Sequence, residues 1–429
     1  NANTIAVARD IRESGPELHS AFLKGLNSSG VDVLDLGITT TGVLYRATVD
    51  LSVDAAVVIT ASHTRPEYNG FKICNGTLPM AGQELQELKK TFDDNLFKQG
   101  DGVVEDYSHF ENQYLDTIVS NAGKPRRKIK IAIDCGNAVP GPLTIKLMEK
   151  LDVDLIPVHC DWDDKFPNHP PDPTRPENMK DLAKSVVENN AEFGIGMDGD
   201  GDRIGVVDQE GKFIHPDRLM TIFVKDILGE RKGGTESERT VFYDVKCSMA
   251  LEEAIYSSGG IPKMVRTGHS FMKRELKENP DSPLAGEMSG HFFLNDRWPG
   301  FDDSLYNTAR LLEIIAREPS PEEGGPKFSD WFEDLPKYAS TGEAKVPLTM
   351  NRIETMDSVE RKFSDMKYSN VDGVRVSYPE GWFLCRPSNT EPILVMRAEA
   401  NDEEGLVKIK QDVEERLGEI INLEKFHNA

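Results

Sequence analysis

Three carboxylates at alternate positions, Asp198, Asp200 and Asp202, are separated only by Gly199 and Gly201 in the stretch MDGDGDRIGVVD. Glycine admits positive φ, so the backbone here can turn all three side chains toward one point. Anionic groups that close repel unless a hard cation sits among them, and an oxygen-only ligand set selects Mg²⁺ or Ca²⁺ over zinc. A calcium loop of the EF-hand type counted from Asp198 needs a Glu where Gln209 stands, and RIGVVD reads as a strand rather than a second helix. The predicted chemistry is therefore a divalent-metal site, with a solvated acidic turn as the plain alternative.

A second reactive candidate is Ser62, in TASHTRPEYNG directly after the apolar run AAVVI. A Ser-His-Asp hydrolase would need a G-x-S-x-G elbow, which TASHT lacks. His63 is adjacent in sequence, a poor geometry for taking the Ser62 proton, and reads as a structural neighbour. Taken alone, Ser62 suits a turn or helix-capping hydroxyl as well as a nucleophile.

Two further loops bear on that choice. RPSNTEP (386–392) offers the Arg386 guanidinium, the Ser388 and Thr390 hydroxyls, the Asn389 amide and backbone N–H groups, a composition suited to a phosphate or else to an ordinary proline-bounded turn. GEMSGH (286–291) sets Glu287, Ser289 and His291 at alternating positions, so on a strand-like segment all three would face one side and could hydrogen-bond vicinal sugar hydroxyls. The alternative is a polar edge strand. Trp298 suits either a sugar face or the core, and the run PNHPPDPTRPEN near 167 is read as structural.

The elements that must position these loops alternate along the whole chain. TIAVA, VDVLDLG, AAVVITAS, IKIAIDCG, VDLIPVHC, TVFYDV and IPKMVRTG read as strands; GPELHSAFLKGLNSSG, AGQELQELKKTFDDNLFKQG and PENMKDLAKSVVENNA read as amphipathic helices. Such alternation predicts α/β domains with parallel or mixed sheets and ligand loops at the carboxyl ends of strands. Breaks are suggested at KQGDGVVEDY near 100, at DQEGKF near 210 and at REPSPEEGGPKF (317–328), the best linker candidate; beyond it the chain reads as a smaller α+β module. VVITASH…GFKI, FGIGMDGDGDRIGVVD and PLAGEMSGHFFL each set a polar loop between two apolar runs, as if one device were reused to feed a common cleft.

At 429 residues the chain exceeds what one core normally supports. Its net charge of −23 disfavours nucleic-acid or acidic-membrane binding through a general basic face. No run is apolar enough to span a bilayer and no signal-peptide pattern opens the chain, which predicts a cytoplasmic protein. The 5 cysteines are scattered and form no C-x-x-C, so reduced structural thiols are expected.

Taken together and in order, TASHTRPEYNGFK, DGDGDR, DVKC, RTGHSFMK, GEMSGH, RWPGFDD and RPSNTEP resemble the α-D-phosphohexomutase superfamily, and most closely its bacterial phosphomannomutase/phosphoglucomutase group. The resemblance covers nearly the whole chain. It implies three related α/β domains with mixed sheets plus a smaller α+β domain around a central cleft, here 1–110, 111–212, 213–330 and 331–429. It implies Mg²⁺ held by Asp198, Asp200 and Asp202 with Ser62 completing the shell, Ser62 as a phosphoserine, and a hexose 1,6-bisphosphate as activator. Lys72 and Arg203 match cations beside the transferring phosphoryl group; His269 and Lys246 match residues near the reacting hydroxyl or the sugar. Glu287, Ser289 and His291 match the sugar loop, and Arg386, Ser388, Asn389 and Thr390 the loop that grips the non-reacting phosphate. The implied activity is reversible phosphoryl transfer between the 1- and 6-positions of mannose or glucose phosphates, by a monomer or weak dimer acting on small-molecule sugar phosphates.

Two departures stand out. The family opens with an R-x-Y-D-I-R-G-like segment, whereas VARDIRESGPEL matches the stretch after it, so a first strand and an active-site Arg are expected ahead of Asn1. SHTRP also replaces the usual Ser-His-Asn-Pro, trading a proline for Arg65, which reads as a solvated turn residue. Competing functions are a phosphosugar-binding protein without turnover, an amino-sugar phosphate mutase and a metal-dependent phosphatase.

Overall fold

The computed structural model describes residues 2–231, 233–348, 351–388 and 391–429. AAVVI forms a strand, Ala55–Ile59, because β-branched residues stack well on a pleated surface and helices cover it; Ala56 through Ile59 are all buried. It pairs in parallel with Thr4–Arg9, which pairs in parallel with Asp32–Ile38. Phe71–Asn75 then returns antiparallel to Ala55–Ile59.

The same plan recurs twice. In the second sheet Lys130–Asp134 lies parallel to Asp154–Val158 and Phe193–Met197, and Ile204–Val207 returns antiparallel to the latter. In the third, Thr240–Asp244 lies parallel to Ile261–Val265 and Leu284–Gly286, and Phe292–Leu294 returns antiparallel. Each of the three echoed sequence segments is thus a parallel strand, a polar loop and an antiparallel return. The fourth sheet is antiparallel throughout, from Ala339–Ser340 to Ile393–Ala400, with the helix Glu403–Leu417 against it.

The first three sheets share one continuous core running from Ala6 to Leu335, whereas the fourth has its own around Phe363, Phe383 and Ile409. A small patch of Val245, Trp382 and Leu384 joins them. Two suggested breaks prove to be structured. KQGDGVVEDY carries the strand Val104–Asp106, which extends the first sheet beside Asp32–Ile38. The run REPSPEEGGPKF closes by stacking Phe328 on Phe193, centroids 4.2 Å apart, because burying that ring outweighs leaving the segment as free linker. The cysteines are all buried and free. Among the described residues no helix is long and apolar enough to cross a membrane.

Candidate active site

Residues leaving the carboxyl ends of Thr4–Arg9 and Ala55–Ile59 emerge side by side, since Arg9 pairs with Ile59 in parallel register. Ser62 is the turn residue there and holds φ at +50°, a left-handed conformation uncommon outside glycine. Arg12, missed in the sequence reading, explains how that turn is kept. Its fully buried guanidinium donates to the carbonyl oxygens of Ser62 at 2.7 Å, Thr64 at 2.9 Å, Arg65 at 2.7 Å and Tyr68 at 3.0 Å. Asp10 balances it at 3.0 Å and in turn accepts from Thr60 Oγ1, which accepts the Ser62 N–H. An Asp-x-Arg at the end of the first parallel strand was the available signal. Arg65 points away, 76% exposed, and Trp298 is a packed aromatic, stacked on Tyr306 at 4.2 Å and 3% exposed.

The Ser62 hydroxyl donates to Asp198 Oδ2 at 2.8 Å and lies 3.2 Å from His63 Nδ1. The left-handed turn therefore brings His63 into hydrogen-bond reach despite its adjacency. Asp198 Oδ1 is oriented by the N–H groups of Gly201, Asp202 and Arg203 at 3.0–3.1 Å. The two loop glycines do different work. Gly201 takes positive φ (+76°), while Gly199 is required by proximity: a Cβ there would stand 2.2 Å from the Ser62 carbonyl oxygen.

Asp198, Asp200 and Asp202 are fully buried and bring one carboxylate oxygen each within 4.8 Å of the others. Lys72 Nζ lies 2.6 Å from Asp200 Oδ2 and from Asp202 Oδ2, and Thr41 Oγ1 donates to Asp200 Oδ2 at 2.8 Å. Arg203 Nε approaches Asp198 at 3.7 Å and Asp202 at 4.0 Å. Among the described residues, Asp200 Oδ1 and Asp202 Oδ1 are buried without a hydrogen-bond partner. Oriented, dry carboxylate oxygens with unused lone pairs fit a Mg²⁺-class cation. Burial, with the neighbouring aspartates, pushes Asp198 well above the ordinary carboxyl range. Burial acts likewise on Asp202 but is outweighed by Lys72, His291 and Arg203, which hold it well below.

Next to this cage lie residues of the third domain, on the helix His269–Glu278 and the loops beside it. His269 Nδ1 is 3.2 Å from Lys273 Nζ, so the ring accepts there and carries its proton on Nε2. Burial and the Lys273 charge keep that imidazole neutral, well below its ordinary pKa. Lys273 is buried and paired with Asp302 at 2.5 Å, and His291 Nδ1 lies 2.8 Å from the same carboxylate and 3.6 Å from Asp202. Glu287 accepts the Gly268 N–H at 2.5 Å and the Ser289 hydroxyl at 2.9 Å. The strand-like reading of GEMSGH needs correction. Strand pairing stops at Gly286, and a turn with Gly290 at φ +82° carries Glu287 to His291, because the Gly290 N–H closes back on the Glu287 carbonyl at 3.0 Å.

Lys246 reaches the fourth domain, its Nζ 2.9 Å from Glu343. Arg386 donates from Nε to Asp372 at 2.6 Å, and Asp372 also accepts the Thr267 N–H at 3.1 Å, beside the His269 loop. Arg386 Nη2 is buried without a hydrogen-bond partner among the described residues. Ser388 Oγ accepts the Glu391 N–H at 3.2 Å; Asn389 and Thr390 lie outside the described residues. Ser62, Lys72, the three aspartates, Arg203, His269 and His291 thus form one contact network; Glu287 joins it at Gly268, and Arg386 and Lys246 approach it at Thr267, through Asp372 and through Asp244.

Comparison with known proteins decides the lineage. The chain is 41% identical over 412 residues to the phosphomannomutase/phosphoglucomutase of Pseudomonas aeruginosa, covering 95% of this chain and 85% of that protein. The chain belongs to the phosphoglucomutase/phosphomannomutase family. All four domain families match: alpha/beta/alpha domain I at 1–99, II at 112–211, III at 215–338, and the C-terminal domain at 343–416. The phosphoglucomutase of Neisseria gonorrhoeae is 40% identical, covering 95% of this chain and 86% of its own length. A crystal structure of a phosphoglucomutase/phosphomannomutase family protein from Burkholderia thailandensis superposes with a TM-score of 0.88 at 40% identity, covering 97% of this chain and 89% of that one. Four phosphoglucomutase/phosphomannomutase-type domains, three of them α/β with mixed sheets, are accordingly the fold of this chain.

Proposed function

We propose that this mutase moves a phosphoryl group between the 1- and 6-positions of mannose or glucose phosphates through a phosphoserine at Ser62. The names of the relatives favour these sugars over an amino sugar. The observation that carries the reading is the Ser62 hydroxyl, 9% exposed on a left-handed turn and 2.8 Å from Asp198 inside a buried carboxylate cage. A hydroxyl strained into that position is one held for chemistry.

A hydroxyl oxygen of the hexose monophosphate forms the new P–O bond as the bond from phosphorus to Ser62 Oγ breaks, and its proton leaves to a base in the cleft. The bisphosphorylated sugar reverses in place and returns its other phosphoryl group to Ser62, freeing the isomer. Serine oxygen is a poor leaving group, so charge must be drawn off it and spread over the phosphoryl oxygens. Asp198, Asp200 and Asp202 would hold Mg²⁺, which when bound supplies Lewis-acid stabilisation of that charge. Lys72 and Arg203 add fixed positive charge on the same side. Neutral His269 offers an Nε2–H donor to a sugar or phosphoryl oxygen, while Glu287, Ser289, His291 and Lys246 orient the sugar hydroxyls. Arg386, Ser388, Asn389 and Thr390 hold the phosphate that is not being transferred.

In this reading segments 1–110, 111–212, 213–330 and 331–429 each contribute one loop, and the chain works in the cytoplasm as a monomer or weak dimer on free sugar phosphates, primed by a hexose 1,6-bisphosphate. The test is a paired assay of mannose and glucose 1-phosphates with Mg²⁺ and the primer, together with intact mass spectrometry. Interconversion of at least one sugar and a phosphoryl adduct lost in Ser62→Ala are expected. Saturable binding without turnover, or release of free phosphate in place of isomer, sinks the proposal.

A further inference from the structure

The run PNHPPDPTRPEN borders the aspartate loop through Pro171, and it also brings His169 against Asp134 and His159 at the carboxyl ends of two neighbouring strands in the second sheet. One nitrogen of each imidazole and one Asp134 oxygen lie within 4.8 Å of one another. Asp134 is buried, and the two rings are mostly so.

Hydrogen-bond roles narrow what this cluster is for. His169 Nδ1 lies 2.9 Å from the Pro170 carbonyl oxygen and Nε2 lies 3.0 Å from Asp134 Oδ2, so both ring nitrogens face acceptors. A neutral imidazole carries one N–H; with that N–H on Nδ1 toward Pro170, the Nε2 lone pair faces the Asp134 carboxylate and a cation, proton or metal, is needed between them. His159 Nε2 lies 2.9 Å from Asp181 Oδ2, which makes Nε2 its donor and leaves Nδ1 as a free lone pair. An imidazole tied on one side to a carboxylate or carbonyl, with its other nitrogen left to bind, is the arrangement that orients metal-ligating histidines.

The backbone is specialised at the same place. His159 holds φ at +46° and Asn137 at +56°, and the Asn137 N–H donates to the His159 carbonyl at 2.7 Å. Strain of this kind persists only where surrounding contacts enforce it. A surface cavity lined by His159, Asp181, Lys184 and Ser185 gives access from solvent.

We infer that Asp134, His159 and His169 form a site for a divalent transition metal of the Zn²⁺ class, with Asp181 orienting His159 and water completing the coordination. Two imidazole nitrogens with one carboxylate oxygen suit Zn²⁺ and not Mg²⁺, which separates this site chemically from the all-oxygen aspartate cage. The metal would pin the loop that backs the phosphoserine. Pro171 packs against Gly136 on one side and Gly199 on the other: an added Cβ at those glycines would meet Pro171 at 2.9 and 3.2 Å.

The test uses the full chain, stripped with chelator and returned to excess Mg²⁺ so that the oxygen cage is satisfied, then titrated with Co²⁺ and competed with Zn²⁺. One equivalent with the visible absorption of nitrogen-ligated Co²⁺ is expected, retained in Asp200→Asn and lost in His159→Ala. Asp181→Asn should weaken Zn²⁺ binding about 10- to 100-fold and decides the matter if His159→Ala does not fold. No stoichiometric site under Mg²⁺, or one lost in Asp200→Asn and untouched by His159→Ala and Asp181→Asn, overturns the proposal and leaves His169 and Asp134 as a simple ion pair.

Discussion

Lys72 Nζ stands 2.6 Å from Asp202 Oδ2, inside the reach of the same carboxylates that are suited to a metal. Burial alone would discharge this lysine, but Asp200 and Asp202 outweigh burial and hold it above its ordinary value. The ammonium is therefore a resident counter-ion of the cage. Replacing it in Lys72→Met leaves buried carboxylates facing one another, and removal of one partner from a buried pair costs about 3–5 kcal/mol. Since Lys72 keeps some solvent contact, the lower end is expected. Denaturant titration with and without Mg²⁺ checks this: the variant should recover more stability from Mg²⁺ than the parent does, and equal gains would refute the shared-site reading.

Arg12→Lys cannot reach four carbonyl oxygens with one ammonium. Carbonyls left short of a donor in a buried turn cost about 1–3 kcal/mol each, part of which water recovers, so a total loss of about 3 kcal/mol is expected. Because Arg12 acts through the Ser62 turn, kcat and the extent of Ser62 phosphorylation should fall, with KM nearly unchanged. A variant whose KM rises while phosphorylation is intact would mean that Arg12 serves the sugar instead.

Asp303 begins the helix Ser304–Ile315, and its Oδ1 takes the N–H groups of Leu305 and Tyr306 at 3.1 Å and the Tyr114 hydroxyl at 2.8 Å. Its Oδ2 is buried with no hydrogen-bond partner among the described residues, and burial pushes the carboxyl up to about 7. An unfolded Asp titrates near 3.9. Between these values the folded state holds a proton that the unfolded state has lost, so this group's contribution falls as pH rises from about 4 to about 7. Asp303→Asn keeps an acceptor at Oδ1 and removes the titration. Unfolding free energies at pH 5 and pH 8 should differ less for the variant than for the parent, by an amount on the order of 2 kcal/mol.

Asp372 orients Arg386 through Nε and leaves Nη2 without a partner among the described residues. In Asp372→Ala the guanidinium loses that anchor and the Thr267 N–H loses its acceptor. A KM about 10-fold higher for the sugar phosphate with kcat preserved is expected, which is about 1.4 kcal/mol of uniform binding. Steady-state kinetics decide it; a fall in kcat at constant KM would place Asp372 in the chemical step.

What could be read from residues alone was whatever depends on near neighbours in the chain. Asp198, Asp200 and Asp202 read as a cluster because spacing and glycines confine them together, and the structure buries all three with one oxygen each within 4.8 Å of the others. AAVVI declares a strand by composition, and three polar loops between apolar runs foreshadow the three parallel-then-antiparallel units. Ser62 needed the other loops before it meant anything, because a hydroxyl on a turn has many uses. Arg12, Lys273 and Asp302 stayed silent for a different reason: their partners lie far away in sequence, at Ser62 to Tyr68 for Arg12 and across the third domain for the other two. Gly199 was legible as a glycine, but its purpose, close approach of the Ser62 carbonyl, belongs to a contact between two domains.

The Arg12 grip on the serine turn is made entirely through main-chain oxygens, and every amino acid carries that atom. Shape and spelling are thereby separated in this loop. Arg65 can stand where a relative has another residue, since the guanidinium of Arg12 reads the path of the chain and is indifferent to what hangs from it, whereas the Thr64 hydroxyl adds a bond of its own to the Ala61 carbonyl. Position 65, whose side chain is 76% exposed, is accordingly a free letter beside Ser62, a place where natural drift or a designed library can change the surface chemistry without loosening the turn.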